Sequence, residues 1–188
     1  MEIKELTKKA TKYYYENKPK QALSLFLQAL SLDTNNSSSY YNLGLTYDSL
    51  KEFELAIANY KKAIALNPLD IRSVNNIAWI YFENFKDENI ATQYLDYAIQ
   101  IMPNDAEAYN VYGNIYFKKE DYKNAILYFK KAIKFDKNYP KNYYDISKAY
   151  IGLEDFKNAK KSIEICIKLK PDYPLAKDLL SEIEKIIQ

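Results

Sequence analysis

Histidine is absent from this chain of 188 residues, and cysteine occurs once, as Cys166. The first absence removes Ser-His-Asp and Cys-His catalysis, histidine-ligated zinc and the usual proton shuttle near neutral pH. The second excludes an internal disulfide, a paired-cysteine redox centre and a multi-cysteine metal site. Gly44, Gly113 and Gly152 are the only glycines, too few and too far apart for a glycine-rich phosphate loop. No metal and no cofactor is expected. Long apolar runs are missing too. Stretches such as IAWIYF at 77–82 stop far short of the ~20 residues that span a bilayer. The N-terminus alternates charged and apolar residues where a signal peptide would have a continuous apolar region. A cytoplasmic protein with no membrane partner is the expectation. A net charge of +2 argues against a nucleic-acid footprint.

What is present is a repeat. Ala10, Gly44, Ala78, Gly113 and Ser147 follow one another at intervals of 34, 34, 35 and 34. Ala22, Ala56, Ala91, Ala125 and Ala159 keep the same beat, as do Ala29, Ala63, Ala98, Ala132 and Cys166. Large residues share it: Tyr13, Tyr47, Tyr81, Tyr116 and Tyr150 form one set, and Phe26, Tyr60, Leu95, Phe129 and Ile163 another. One residue is inserted once, after Ala78 and before Ala91, in or next to FENFKDEN (82–89). Within a unit the apolar spacing is helical: Tyr40, Leu43, Gly44 and Tyr47, then Ala56, Ile57, Tyr60, Ala63 and Ile64. Each unit therefore reads as a helical hairpin. Small residues let its two helices approach, and large ones fill the space beside them. Such a hairpin buries its apolar face only when another stacks on it.

The stretch YYNLGLTYDSLKEFELAIANYKKAIALNP resembles a tetratricopeptide repeat (TPR) through Tyr40, Leu43, Gly44, Tyr47, Ala56, Tyr60, Ala63 and Pro68. The unit 106–139 matches nearly as well. Five tandem repeats are read at 3–36, 37–70, 71–105, 106–139 and 140–173, followed by a capping helix at 174–188. Leu175, Leu179, Ile183 and Ile187 are expected to form the covering stripe of that helix. The resemblance implies an all-α, right-handed superhelical solenoid of antiparallel helix pairs, forming one domain over 1–188. Cys166 takes the place of an alanine and reads as a small buried hydrophobe.

The family's first helices line a concave groove that binds peptides or partner proteins. Subtracting the packing residues leaves Tyr41, Asn42, Arg72, Asn75, Asn76, Trp79, Phe82, Asn110, Asn114, Phe117, Tyr144 and Lys148 as partner-binding candidates. The asparagines matter because a carboxamide both donates and accepts, and so suits a peptide backbone whatever its side chains. The aromatics would be partly exposed in the same trough, and tryptophan and tyrosine are enriched in binding hot spots. The paired cations of a chaperone-tail clamp are not all present: Thr7 and Thr11, Asn42, then Arg72 and Asn76 fit that pattern only in part. The carboxylates Asp48, Glu83, Glu107 and Asp145 are expected on an open, solvated face, where they are unsuited to general acid-base chemistry. The expected function is thus a non-catalytic scaffold that binds a peptide or protein in its groove. A self-assembling homo-oligomer is the alternative.

Overall fold

The computed structural model describes residues 2–187, and all regular structure among them is helical. The chain divides into two compact units, the first ending at Tyr97 and the second starting at Ala98. Among the described residues no helix is long and apolar enough to cross a membrane.

In the first unit α1 (Glu2–Tyr15) packs on α2 (Pro19–Leu32), and α3 (Ser37–Ser49) on α4 (Phe53–Leu66). Then come α5 (Ile71–Ile80), a π-helical turn (Tyr81–Phe85) and α6 (Glu88–Ile101), within which the unit boundary falls. The second unit holds α7 (Ala106–Lys118) on α8 (Tyr122–Phe135), α9 (Pro140–Gly152) on α10 (Phe156–Leu169), and α11 (Pro174–Ile187) against α10. The first helices of successive pairs also touch within each unit, α1 with α3 and α7 with α9.

Small residues set these approaches. A Cβ at Gly44 would lie 2.5 Å from the Tyr60 ring, and one at Gly113 only 2.4 Å from the Phe129 ring. Where the second helix carries the smaller Leu95 or Ile163, the matching first-helix residue is Ala78 or Ser147. Ser147 donates to the Ala159 carbonyl at 2.9 Å across that narrow gap. The first pair departs from this rule, with Ala10 standing beside Phe26. Ala56, Ile57, Tyr60, Ile77 and Ile80 form one buried cluster in the first unit. Ala159, Ile163, Cys166, Ala176 and Ile183 form one in the second. Burial pushes the Cys166 thiol up to about 11, so it stays protonated as a core residue.

Asn36, Asp105, Asp121 and Asp155 accept backbone N–H groups at the starts of α3, α7, α8 and α10. Each such cap is worth about 1 kcal/mol. Every hairpin turn holds a residue in the left-handed region: Asn17, Lys51, Lys86, Glu120 and Glu154, with φ between 57° and 64°. The conserved-register tyrosine ahead of each turn accepts a backbone bond from just beyond it. In four turns that donor lies five residues on, as from Glu52 to Tyr47 at 3.0 Å and from Asp121 to Tyr116 at 3.0 Å. In the turn after Tyr81 it is Asp87, six residues on, at 2.9 Å. The inserted residue is absorbed here, by the π turn, which is a helix with one residue too many.

The cap helix departs from expectation. Its buried face runs through Ala176 and Ile183, flanked by Leu179 and Leu180, while Leu175 and Ile187 are more than half exposed. A strict four-residue stripe drifts around a 3.6-residue helix, so its two ends swing out into water.

Candidate functional site

All the candidates but Phe82 lie on α3 and α5 in the first unit and on α7 and α9 in the second. On α3, Tyr41 is half-buried, with its ring 6.0 Å from that of Tyr60. The Arg72 guanidinium lies over its other surroundings, 4.2 Å from the Tyr41 centroid. Arg72 is itself aimed by Asp70, which is buried and accepts from Arg72 Nε at 3.3 Å and from the Ser73 hydroxyl at 2.6 Å. A cation held flat over a ring and tied to a carboxylate loses little freedom on meeting a ligand. Asn42 is half-buried and borders a cavity of about 360 Å³ that Lys4, Thr7, Lys8 and Ser38 also line. Asn76 and Trp79 are half-buried on α5.

Three expected contact residues lie in the interior. Phe82 is 2% exposed, with the Trp79 ring edge-on to it at 5.8 Å. Phe117 occupies the same register position in the second unit and stays half-exposed. Its counterpart of Trp79 is Asn114, and the ring it has beside it is Tyr122, edge-on at 5.5 Å. Asn75 and Asn110, also equivalent in register, are 2% and 5% exposed. Both are buried, and Asn110 spends its amide on Asn142 and Asp145 of α9.

In the second unit the open face is organised around a carboxylate. Asp145 was expected in solvent, yet it is buried. Its Oδ2 accepts from Lys141 Nζ at 2.8 Å and from Asn110 Nδ2 at 3.2 Å. Its Oδ1 pairs with Lys148 Nζ at 3.0 Å. Burial alone would push the Asp145 carboxyl up, but Lys141 and Lys148 outweigh it and hold it below its ordinary value. Asn110 also donates to Asn142 at 3.0 Å and accepts from Lys141 at 3.1 Å. Asn114 donates to the Asn110 carbonyl and side chain at 2.9 and 3.0 Å. Lys148 lies over two rings, 5.2 Å from the Phe117 centroid and 4.9 Å from that of Tyr144. Burial and the charge of Asp145, with smaller contributions from Glu182 and Asp178 of α11, push the Tyr144 hydroxyl above its usual value.

Asn142 was not anticipated. Its register position holds the buried Ser39, Ser73 and Ala108 in repeats two to four and the exposed Glu5 in repeat one. An amide where three repeats carry a small buried residue was the available signal for a polar network. Among the described residues no group of acidic residues or cysteine is arranged to hold a metal ion.

The family model described as "Tetratricopeptide repeat" matches residues 37–69, and a second of the same description matches 106–139 and 140–173. Together they cover more than half of the chain. The chain is 37% identical over 103 residues to the "Protein STIP1 homolog" of Dictyostelium discoideum, covering 52% of this chain and 18% of that protein. It is 32% identical over 126 residues to the human "Protein O-mannosyl-transferase TMTC3", covering 65% of this chain and 14% of that protein. The chain thus spans less than a fifth of the length of either relative. Its fold matches the solved structure of Pseudomonas aeruginosa pilF with a TM-score of 0.80 at 19% identity, over 98% of this chain and 84% of that one. Small residues that bring paired helices together and large ones that fill the gap recur through both units. With these matches, the chain belongs to the tetratricopeptide repeat family and is a protein-interaction scaffold.

Proposed function

We propose that the chain is a non-catalytic adaptor whose units each hold an extended segment of partner protein along their first helices. The observation that carries this reading is the character of the side chains left half-exposed there. They are carboxamides (Asn42, Asn76, Asn114), rings (Tyr41, Trp79, Phe117, Tyr144) and the cations Arg72 and Lys148, and several are held by neighbours before any ligand arrives. Preorganised aromatic and amide groups lose little entropy on binding, and amides can pair with a backbone of any sequence. The non-catalytic part of the reading is supported by Asp145. A carboxylate tied to two lysines and held below its ordinary pKa is a poor general acid or base near neutrality.

The test pairs Asn42→Ala with Asn76→Ala, two half-buried amides whose loss leaves the apolar packing intact. Tagged native and variant proteins are used for affinity capture, and the retained proteins are identified by mass spectrometry. Partners recovered by the native protein should be lost or strongly depleted with the variant, while circular dichroism and melting stay unchanged. Undiminished capture would sink the reading.

A further inference from the structure

We infer that the α7–α9 face selects an acidic side chain of the bound segment, received by Lys141 and Lys148 as a pair fixed from beneath by Asp145. The inference rests on the peptide-binding reading above and names the chemistry it selects.

Lys141 and Lys148 stand four residues before and three after Asp145 on α9, so all three share one face. The carboxylate is 3% exposed, and each of its oxygens takes one of the ammonium groups. The two lysine side chains remain 38% and 30% exposed. The triad is therefore a cation of net charge +1 whose negative member is covered and whose positive members reach solvent. A lysine on a flexible stem loses much rotamer freedom on capturing an anion. Here Asp145 and the flanking Phe117 and Tyr144 rings have already removed that freedom from Lys148. Beside it, Asn114 donates its amino group to Asn110, and its side-chain oxygen is an acceptor suited to a backbone N–H of the ligand. Beyond Tyr144, Asp178 and Glu182 on α11 bring negative charge. A ligand cation would meet Lys141 and would have to displace Lys148 from Asp145, which disfavours it.

The test is a nuclear magnetic resonance titration of the whole chain with three blocked nonapeptides in a glycine-serine background. Their centres are Glu-Tyr-Glu, Gln-Tyr-Gln and Lys-Tyr-Lys. Acetylated and amidated ends leave side chains as the only carboxylates. The glutamate peptide should shift the amide signals of Asn114, Phe117 and residues 141–148 saturably. It should bind roughly tenfold tighter than the glutamine peptide, the scale of one charge-assisted hydrogen bond. That preference should collapse in about 1 M salt, where the screening length is about 3 Å. Lys148→Gln, and separately Lys141→Gln, should erase the preference of the glutamate peptide over the glutamine peptide, with melting curves confirming that each variant folds. Equal affinity for glutamate and glutamine peptides at the same signals would overturn the inference and leave the peptide-binding reading standing. Tighter binding of the lysine peptide would overturn it as well, marking a site that takes a cation in place of Lys148. If no peptide shifts any first-helix signal in either unit, both readings fall.

Discussion

Helices α5 and α9 occupy the same place in the repeat, one in each unit, yet they secure their open faces by different means. Arg72, Asn75, Asn76 and Trp79 on α5 stand in register with Lys141, Tyr144, Asp145 and Lys148 on α9. On α5 a ring supports each group, Arg72 on Tyr41 and Trp79 on the edge of Phe82, and only Arg72 is also tied to a buried carboxylate, Asp70. On α9 one buried carboxylate anchors two cations, with both lysines held by Asp145. Even the buried member changes place: Asn75 is interior on α5, while its counterpart Tyr144 is half-exposed on α9. The register decides which way a side chain points. The local neighbours decide how firmly it is held and whether it meets solvent as a ring or as a charge.

Breaking each support in turn tests that contrast. The largest effect is expected from Phe82→Ala, which removes a nearly inaccessible ring from the first unit. Such truncations cost about 3–5 kcal/mol. Because Trp79 is the only tryptophan and lies against this ring, its fluorescence should also shift to the red. Denaturant unfolding followed by tryptophan emission reads both quantities at once. A variant of native stability with unshifted emission would show that Phe82 does not support Trp79.

Asp145→Asn is the matching change in the second unit, and it should cost less, about 1–3 kcal/mol. The two ammonium groups it strands are partly exposed and can recover water, unlike a fully buried unpaired charge. The loss should depend on pH with a definite sign. The folded-state pKa of Asp145 lies below its ordinary carboxylate value, so the ionised group stabilises the fold above that ordinary value. The contribution fades as pH falls through the folded-state pKa. Urea unfolding of native and variant proteins along a pH series should therefore show curves well apart near neutrality that converge in acid. A constant gap would mean that Asp145 acts through shape and not charge.

Most of the fold was legible because five copies of one pattern reinforce each other. A spacing that would be ambiguous once, such as Tyr47 to Tyr60, becomes a register when it recurs. The same register located the inserted residue between Ala78 and Ala91, and the π turn at Tyr81–Phe85 lies inside that interval. The site was less legible, because subtracting packing positions yields directions and not environments. Phe82 and Phe117 are indistinguishable by register. Their neighbours differ: Phe82 lies against Trp79, and Phe117 against Tyr122 and Lys148. Asp145 looked solvated as an isolated carboxylate on an open helix. Its lysines at i−4 and i+3 were in the sequence, but that a buried position would hold all three together depended on Asn110 and Asn142 from elsewhere in the unit.

The smallest effects concern the turns, where the units should differ least. Lys51 and Glu120 sit in corresponding turns, with φ of 64° and 59°. A side chain in the left-handed region costs roughly 1–2 kcal/mol, and glycine avoids this while giving back roughly 0.5–1 kcal/mol through its freer unfolded state. Glu120→Gly should thus stabilise the second unit by somewhat less than about 1 kcal/mol. Lys51→Gly gains the same backbone relief but loses two things. The Lys51 ammonium lies 5.8 Å from the Phe53 ring centroid, a contact worth about 0.5 kcal/mol at an exposed site. It also counters the effect of burial on the Asp48 carboxyl, which is already raised. The gain at Lys51 should therefore be the smaller of the two and near zero. Paired thermal melts of the two single variants decide the matter. If Lys51→Gly stabilises as much as Glu120→Gly, the turns are interchangeable and side chains at the tips contribute nothing to the difference between the units.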